Sequence, residues 1–106
     1  MRTSELSGAA LDWAVANCEG WKRELCYLNT EYPNYSENWS LAGPIIEREM
    51  LTVIYNEREE DAEGWRTIAY HTGDMLYGTT PLVAAMRCYV ASKLGDEVQI
   101  PEELTL

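Results

Sequence analysis

The chain has 106 residues, and its 18 acidic residues against 8 lysines and arginines give a formal net charge of −10. Hydrophobic residues make up 46% of the chain and charged residues 25%, which excludes both a disordered chain and a membrane-embedded one. A chain of this length buries enough surface for one hydrophobic core, so we expect a single domain over residues 1–106.

The charge and the N-terminal sequence limit the partners and the compartment. Proteins that grip duplex nucleic acid need clustered lysines and arginines, so eight scattered basic residues argue against that class of partner. The N-terminal residues lack the apolar segment of a signal peptide, and no apolar run approaches the ~18 residues of a membrane span. We therefore expect no membrane partner and a cytoplasmic location in the cell that makes the protein.

The first half of the chain predicts two helices and a strand. Residues 7–18 place apolar side chains at helical spacing, and Gly20 follows as a stop signal. Residues 23–28 predict a strand. Ser36 is a candidate N-cap for a second helix over residues 37–49, in which the Gly43-Pro44 pair should cause a kink or a division into two short helices.

The second half predicts a β-hairpin followed by a central helix. Residues 51–55 and 64–70 predict antiparallel strands, and the five acidic residues of the 57–63 tip are typical of a solvated loop. A helix is predicted from Thr80 to Leu94, apolar on nearly every face, and it should pack on the sheet and on another element or subunit. The fold class is therefore α+β, with about three antiparallel strands packed with helices.

Metal binding and catalysis find little support in the sequence. Zinc needs about four nitrogen or sulfur ligands, and the spacing of Cys18, Cys26, His71 and Cys88 fits no known zinc motif. The three cysteines have apolar neighbours, which favours reduced thiols over disulfides. His71 is placed at the end of a strand, where it is more often an edge residue than a catalytic base. We expect neither a metal nor a cofactor, and no enzymatic activity.

Arg87 is a single cation within the apolar part of the last helix. A guanidinium buried there needs a partner, and its own helix offers no acid three or four positions away. Glu47 and Glu49 belong to the second helix, where they point some 200° apart and so cannot form one catalytic pair. We expect one of these two carboxylates to form a structural ion pair with Arg87.

A ligand site is suggested by aromatic rings and by a helix start. Rings that cluster near the second helix can stack on a base or contact a partner, although core packing explains some of them. The residues that open the last helix offer amides to an anion, although most helix caps look similar. The residues predicted to bind a ligand are Tyr32, Tyr35, Trp39, Arg48, Thr79 and Thr80.

Four blocks of sequence carry a family resemblance: residues 11–16, 35–39, 43–49 and 80–98. Together they resemble the NinX-like proteins of tailed phages of enteric bacteria, whose broader relatives form the phage α-β-α sandwich domain family. The resemblance implies helices on both faces of a small sheet, and it supplies no established activity or catalytic residues. Residues 22–34 and 57–63 depart from the family pattern, so a function located there would be particular to this chain.

The residues and the resemblance together favour a non-enzymatic phage accessory protein that sequesters a host factor in the host bacterial cytoplasm. Our first expectation is counter-defence, in which the protein binds and sequesters a nucleotide-type immune signal. An acidic inhibitor of a basic host protein, a phage structural or assembly protein, and a small hydrolase are the alternatives. Four tryptophans, seven tyrosines and an apolar last helix also predict a homo-oligomer, most simply a dimer.

Overall fold

A computed structural model describes residues 1–20, 33–56 and 64–104. The predicted strand over residues 23–28 and the acidic tip over 57–63 lie outside the described residues. The regular elements, in chain order, are helix α1 (Gly8–Cys18), helix α2 (Trp39–Arg48), strands β1 (Leu51–Tyr55), β2 (Trp65–Ala69) and β3 (Met75–Gly78), and helix α3 (Pro81–Leu94). Short 3-10 helices occupy Thr3–Glu5 and Glu102–Leu104.

The three strands form one antiparallel sheet in the order β1-β2-β3, which confirms the α+β class and the predicted hairpin. Side chains alternate between the two faces of a strand, and the register assigns each residue to a face. The inner face carries buried residues such as Leu51, Thr67 and Ala69. The outer face carries Thr52, Ile54, Arg66, Ile68, Met75 and Tyr77.

Helix α3 is the centre of the fold. The Thr80 hydroxyl accepts a hydrogen bond from the Val83 amide at 3.1 Å, Pro81 is the first helical residue, and Gly95 follows the helix with φ 87°. Every residue from Ala84 to Ala91 is buried, because α3 contacts all three strands on one side and α1 on the other. The predicted extent and central position of this helix are confirmed.

The described elements form layers around α3. Among the described elements the layers are the sheet, then α3, then α1, since α1 contacts α3 and α2 contacts α3 and β1. The physical reason is the apolar sequence of α3, which needs cover on two sides and receives it from the sheet and from α1. In the part of the chain that the structure describes, no helix covers the outer face of the sheet.

Helix α2 begins two residues later than expected. Asn38, rather than Ser36, is its N-cap, and the Asn38 side chain accepts a hydrogen bond from the Ser40 amide at 2.9 Å. Ser36 is buried, and its amide donates to the carboxylate of Asp12 in α1 at 2.8 Å. Pro44 lies inside one helix, so of the two alternatives expected at Gly43-Pro44, a kink or a division, the division into two short helices does not occur.

The three helices and the inner face of the sheet share one hydrophobic core. Its largest fully buried side chains come from the N-terminal segment, α1, α2 and α3: Leu6, Leu11, Trp13, Ile45, Met86 and Tyr89. Within the described ranges, every helix is too short or too polar to cross a membrane.

Candidate functional site

One end of the molecule collects aromatic side chains beside a helix start. The register aligns Tyr55 with Trp65 and Trp65 with Gly78, and α3 starts three residues after Gly78. The Tyr55 and Trp65 rings meet edge to face, with their centroids 5.3 Å apart. Trp39, the first residue of α2, lies next to the start of α3. We call the end of the molecule that carries Trp39, Tyr55 and Trp65 the aromatic end.

A small open groove separates the start of α2 from the start of α3. Its volume is about 270 Å³, and the residues that line it are Ser36, Glu37, Trp39, Thr80, Pro81 and Leu82. The Trp39 side chain is 57% exposed. Among the described lining residues, Glu37 alone carries a charge. The groove is therefore largely apolar, with one acidic edge. We call this feature the Trp39 groove.

A buried carboxylate lies behind the Trp39 groove and fixes its wall. Asp12 of α1 is buried and accepts the Ser36 amide, and the Glu37 amide donates to the Asn34 carbonyl at 3.1 Å. Burial raises the pKa of Asp12, while hydrogen bonds from Ser36 act in the opposite direction. The turn that presents Glu37 and Trp39 is therefore anchored to the core.

The start of α3 has few free donors for an anion. Pro81 has no N–H, the Val83 amide donates to the Thr80 hydroxyl, and the Ala84 amide donates to the Thr80 carbonyl at 3.1 Å. Of that first turn, at most the Leu82 amide remains for a ligand. The predicted anion site at Thr79 and Thr80 stays a prediction, with few free amides in the first turn of α3 to support it.

Gly78, the last residue of β3, has a packing role. A Cβ atom added at Gly78 would lie 2.3 Å from the Ala84 nitrogen. Such a distance is far inside van der Waals contact, so β3 can approach the start of α3 only with glycine at this position.

Arg48 lies at the opposite end of α2, nine residues or roughly 14 Å along the helix from Trp39. Its guanidinium contacts Glu19 at 2.6 Å and Glu49 at 2.8 Å, and it also donates to the Tyr89 hydroxyl at 3.1 Å. Lys93 pairs with Glu49 at 3.0 Å. We call Glu19, Arg48, Glu49, Tyr89 and Lys93 the charged end.

The acidic and basic side chains of the charged end form ion pairs with one another. Burial acts to raise the pKa of Glu19, but hydrogen bonds from Arg48 and Tyr89 lower it overall. Hydrogen bonds from Arg48 and Lys93 lower the pKa of Glu49. Burial, together with the hydrogen bond to Glu19, raises the pKa of Tyr89, whose hydroxyl donates to Glu19 at 2.5 Å. The charged end therefore joins the C-terminal ends of the three helices.

The six predicted ligand residues are only partly brought together. Trp39 and Thr80 both line the Trp39 groove, and Thr79 precedes Thr80 in the chain. Arg48 lies at the charged end, and Tyr35 is 7% exposed and belongs to the core. Tyr32 lies outside the described residues. Sequence reasoning did not select Glu37 or Asp12, although Glu37 stands two positions from Trp39 in the same short segment.

The expected ion pair between Arg87 and Glu47 or Glu49 is wrong. Arg87 is buried as predicted, but its Nε donates to the Leu6 carbonyl at 2.6 Å and its Nη1 to the Tyr77 carbonyl at 2.9 Å. Glu49 is engaged by Arg48 and Lys93, and Glu47 is exposed. Backbone carbonyls supply acceptors that residue types in a sequence do not reveal.

The thiols and the histidine offer little chemistry in the described ranges. Cys18 and Cys88 are free, and burial raises the pKa of each to about 12, so both stay protonated at neutral pH. Cys26 lies outside the described residues. His71 is exposed in the turn after β2, as expected for an edge residue. Residues 1–20, 33–56 and 64–104 contain no cluster of three metal-ligating side chains.

A second cavity, of about 370 Å³, lies where the N-terminal residues cross the segment after α3. The lining residues are Arg2, Thr3, Ser4, Leu76, Asp96 and Glu97. The Thr3 hydroxyl donates to the Gly95 carbonyl at 2.6 Å, and the Thr3 amide donates to the Asp96 carbonyl at 2.8 Å. These hydrogen bonds join the N-terminal segment to the segment after α3, so we assign the cavity between them a structural role.

The comparison with protein families places these features in context. The family described as "Bacteriophage P22, NinX" matches residues 2–93, a range that includes α1, α2, the whole sheet and all but the last residue of α3. The match therefore covers the Trp39 groove and the charged end. None of the curated proteins matches the chain.

Proposed function

We propose that the chain, which belongs to the Bacteriophage P22 NinX family, is a phage accessory protein that sequesters a host factor by stoichiometric binding, without catalytic turnover. The observation that carries this proposal is the exposure of Trp39 in a groove whose wall is anchored to the core. Tryptophan is one of the residue types enriched among the side chains that carry most of the binding energy at protein interfaces.

The state of the reactive groups also supports binding over catalysis. A catalytic nucleophile needs a lowered pKa or an adjacent base. The pKa values of Cys18 and Cys88 are instead raised. His71 is exposed in the turn after β2, where its described ring contact is with Tyr70 and not with either thiol. These described residues thus suit a protein that retains a partner.

Two classes of host factor follow from the sequence, namely a nucleotide-type immune signal and a basic protein. Small-molecule pockets usually have volumes of about 300–1,000 Å³, and the Trp39 groove, at about 270 Å³, is smaller and open. Arg48 is bound to two carboxylates at the far end of α2, while Glu37 would repel a phosphate. The geometry therefore favours the basic protein, with counter-defence as the purpose of its capture.

The test is recovery of the tagged chain from host cells, followed by native mass spectrometry. We expect wild type to retain a host component at a fixed molar ratio and Trp39→Ala to lose it. Tyr70→Ala is the matched control, because Tyr70 is 74% exposed in the turn after β2, away from the aromatic end.

Two results would contradict this function, and a third would contradict the assigned site. Multiple turnover of a signalling nucleotide by the purified chain would indicate an enzyme. Stable incorporation into purified phage particles would indicate a structural or assembly role. Equal retention of the host component by wild type and Trp39→Ala would show that the Trp39 groove is not the binding site.

A further inference from the structure

We infer that the Trp39 groove receives a lysine or arginine side chain from an exposed basic segment of a partner protein. The inference rests on the proposed function and narrows it to one ligand chemistry. It is carried by three features of the groove: its size, the indole beside a carboxylate, and the charge of the chain around it.

The size of the groove fits one long side chain. Six residues line a volume of about 270 Å³, and the opening faces solvent between two helix starts. A lysine or arginine can lay its methylene stem along Pro81 and Leu82 while its charged head stays hydrated. A nucleotide would need to bury a base, a sugar and a phosphate in the same space.

The groups at the rim are those that recognise a cation. The Trp39 ring is more than half exposed, and indole is the strongest of the natural rings for cation–π contact. Glu37, exposed in the same lining, supplies a carboxylate for a charge-assisted hydrogen bond. Among the described lining residues no lysine or arginine competes for that carboxylate.

The charge distribution favours a basic partner at longer range. The chain carries a net charge of −10. Residues 57–63 contain five acidic residues and one arginine by sequence. They connect Asn56 to Gly64 at the aromatic end, where the Asn56 amide donates to the Gly64 carbonyl at 2.9 Å. A negative potential there raises the association rate of a cationic segment and opposes a phosphate.

The groove is also formed before any partner arrives. Asp12 holds the Ser36 amide, the Glu37 amide is bonded within its own turn, and Asn38 caps α2. Glu37 and Trp39 are thus presented by a backbone that needs little further ordering, which lowers the entropic cost of binding.

The experiment is a titration of the full chain with an octalysine peptide, followed by the indole N–H resonances in ¹H–¹⁵N spectra. The Trp39 resonance is assigned from its loss in Trp39→Ala. We expect octalysine to shift this resonance, and the backbone amide resonances of the same spectra report binding in every variant. Binding should weaken about tenfold in Trp39→Ala, several-fold in Glu37→Gln, and further with added salt. An octaglutamate peptide of the same length should not bind.

Matched controls separate the groove from general charge attraction. Glu47→Gln removes one exposed acid from the other end of α2, and Tyr70→Ala removes an exposed ring from another turn, so both should bind octalysine like wild type. Because Trp39 and Glu37 are exposed, their variants should unfold at the same urea concentration as wild type.

Each remaining outcome overturns the inference in a distinguishable way. If octalysine binds wild type and Trp39→Ala equally, net charge alone is responsible and the groove is not a cation site. If a cyclic dinucleotide shifts the Trp39 resonance and octalysine does not, the ligand chemistry is wrong but stoichiometric sequestration survives. Turnover of that nucleotide would contradict the proposed function itself.

Discussion

At the scale of single residues, Asp12 links the core to the proposed binding surface. We expect Asp12→Ala to lose about 1–3 kcal/mol of unfolding free energy, because the Ser36 amide would stay buried without its acceptor. Asp12→Asn keeps an acceptor oxygen and removes a buried charge, so it should stay within about 1 kcal/mol of wild type. Urea unfolding at pH 7 measures both, and equal losses in the two variants would contradict the assigned role.

The pH dependence of the Asp12 effect has a definite sign. A carboxyl group whose pKa is raised by folding destabilises the native state once it ionises, and this effect fades as the pH falls through the folded pKa. Asp12→Asn should therefore gain stability relative to wild type as the pH rises above the ordinary value of 3.8.

Glu19 is expected to behave in the opposite way. Its pKa lies below the ordinary value of 4.5 in the folded chain, so its contribution is present above that pH and is lost as the pH falls through the folded pKa. Glu19→Gln should cost about 1 kcal/mol at pH 7, a modest value because Arg48 is half exposed. Unfolding measured between pH 7 and pH 3 should show this difference shrink, while the exposed Glu47→Gln control stays near zero throughout.

At the scale of elements, α3 and α2 show what can be predicted from local sequence. The ends of α3 can be predicted from Thr80 and Gly95, because capping depends only on the residues next to each helix end. Ser36 and Asn38 are both good caps for α2, and the choice between them is decided by Asp12, 24 positions away in sequence. A tertiary contact of that kind leaves no local signal.

Two glycines test the packing of the elements directly. Gly78→Ala should destabilise the chain by about 1–3 kcal/mol or more, because the new methyl group would push β3 away from the start of α3.

Gly43→Ala, inside α2 with open space around the added Cβ, should stabilise the chain by about 0.5–1 kcal/mol. Thermal unfolding of the two variants checks the signs, and a neutral Gly78→Ala would show that the close approach is unnecessary.

At the scale of the whole molecule, the two ends of α2 explain how much of the site was predictable. Trp39 and Thr80 do come together, since two helix starts with exposed polar neighbours meet at one end of the sheet. Arg48 looked available because Glu19 and Tyr89 are 29 and 41 positions away in sequence. Tyr35 looked like a surface ring, but only the packed chain separates buried from exposed aromatics.

The oligomeric state stays a prediction, with a changed physical basis. The apolar faces of α3 are covered within the chain by the sheet and by α1, so they no longer call for a second subunit. The outer face of the sheet is the better candidate, because Ile54, Ile68 and Met75 lie on it and no described helix packs there. A two-fold axis through that face would pair each apolar patch with its own copy.

We therefore expect light scattering at micromolar concentration to give twice the 12.1 kDa chain mass. Met75→Lys places a charge on the 45% exposed outer-face position of an edge strand, and it should shift the protein to monomer without unfolding it. Tyr70→Lys adds the same charge in the turn after β2 and should stay dimeric. A wild-type chain that scatters as a monomer would contradict the dimer, and a Met75→Lys variant that stays dimeric would move the interface to another face.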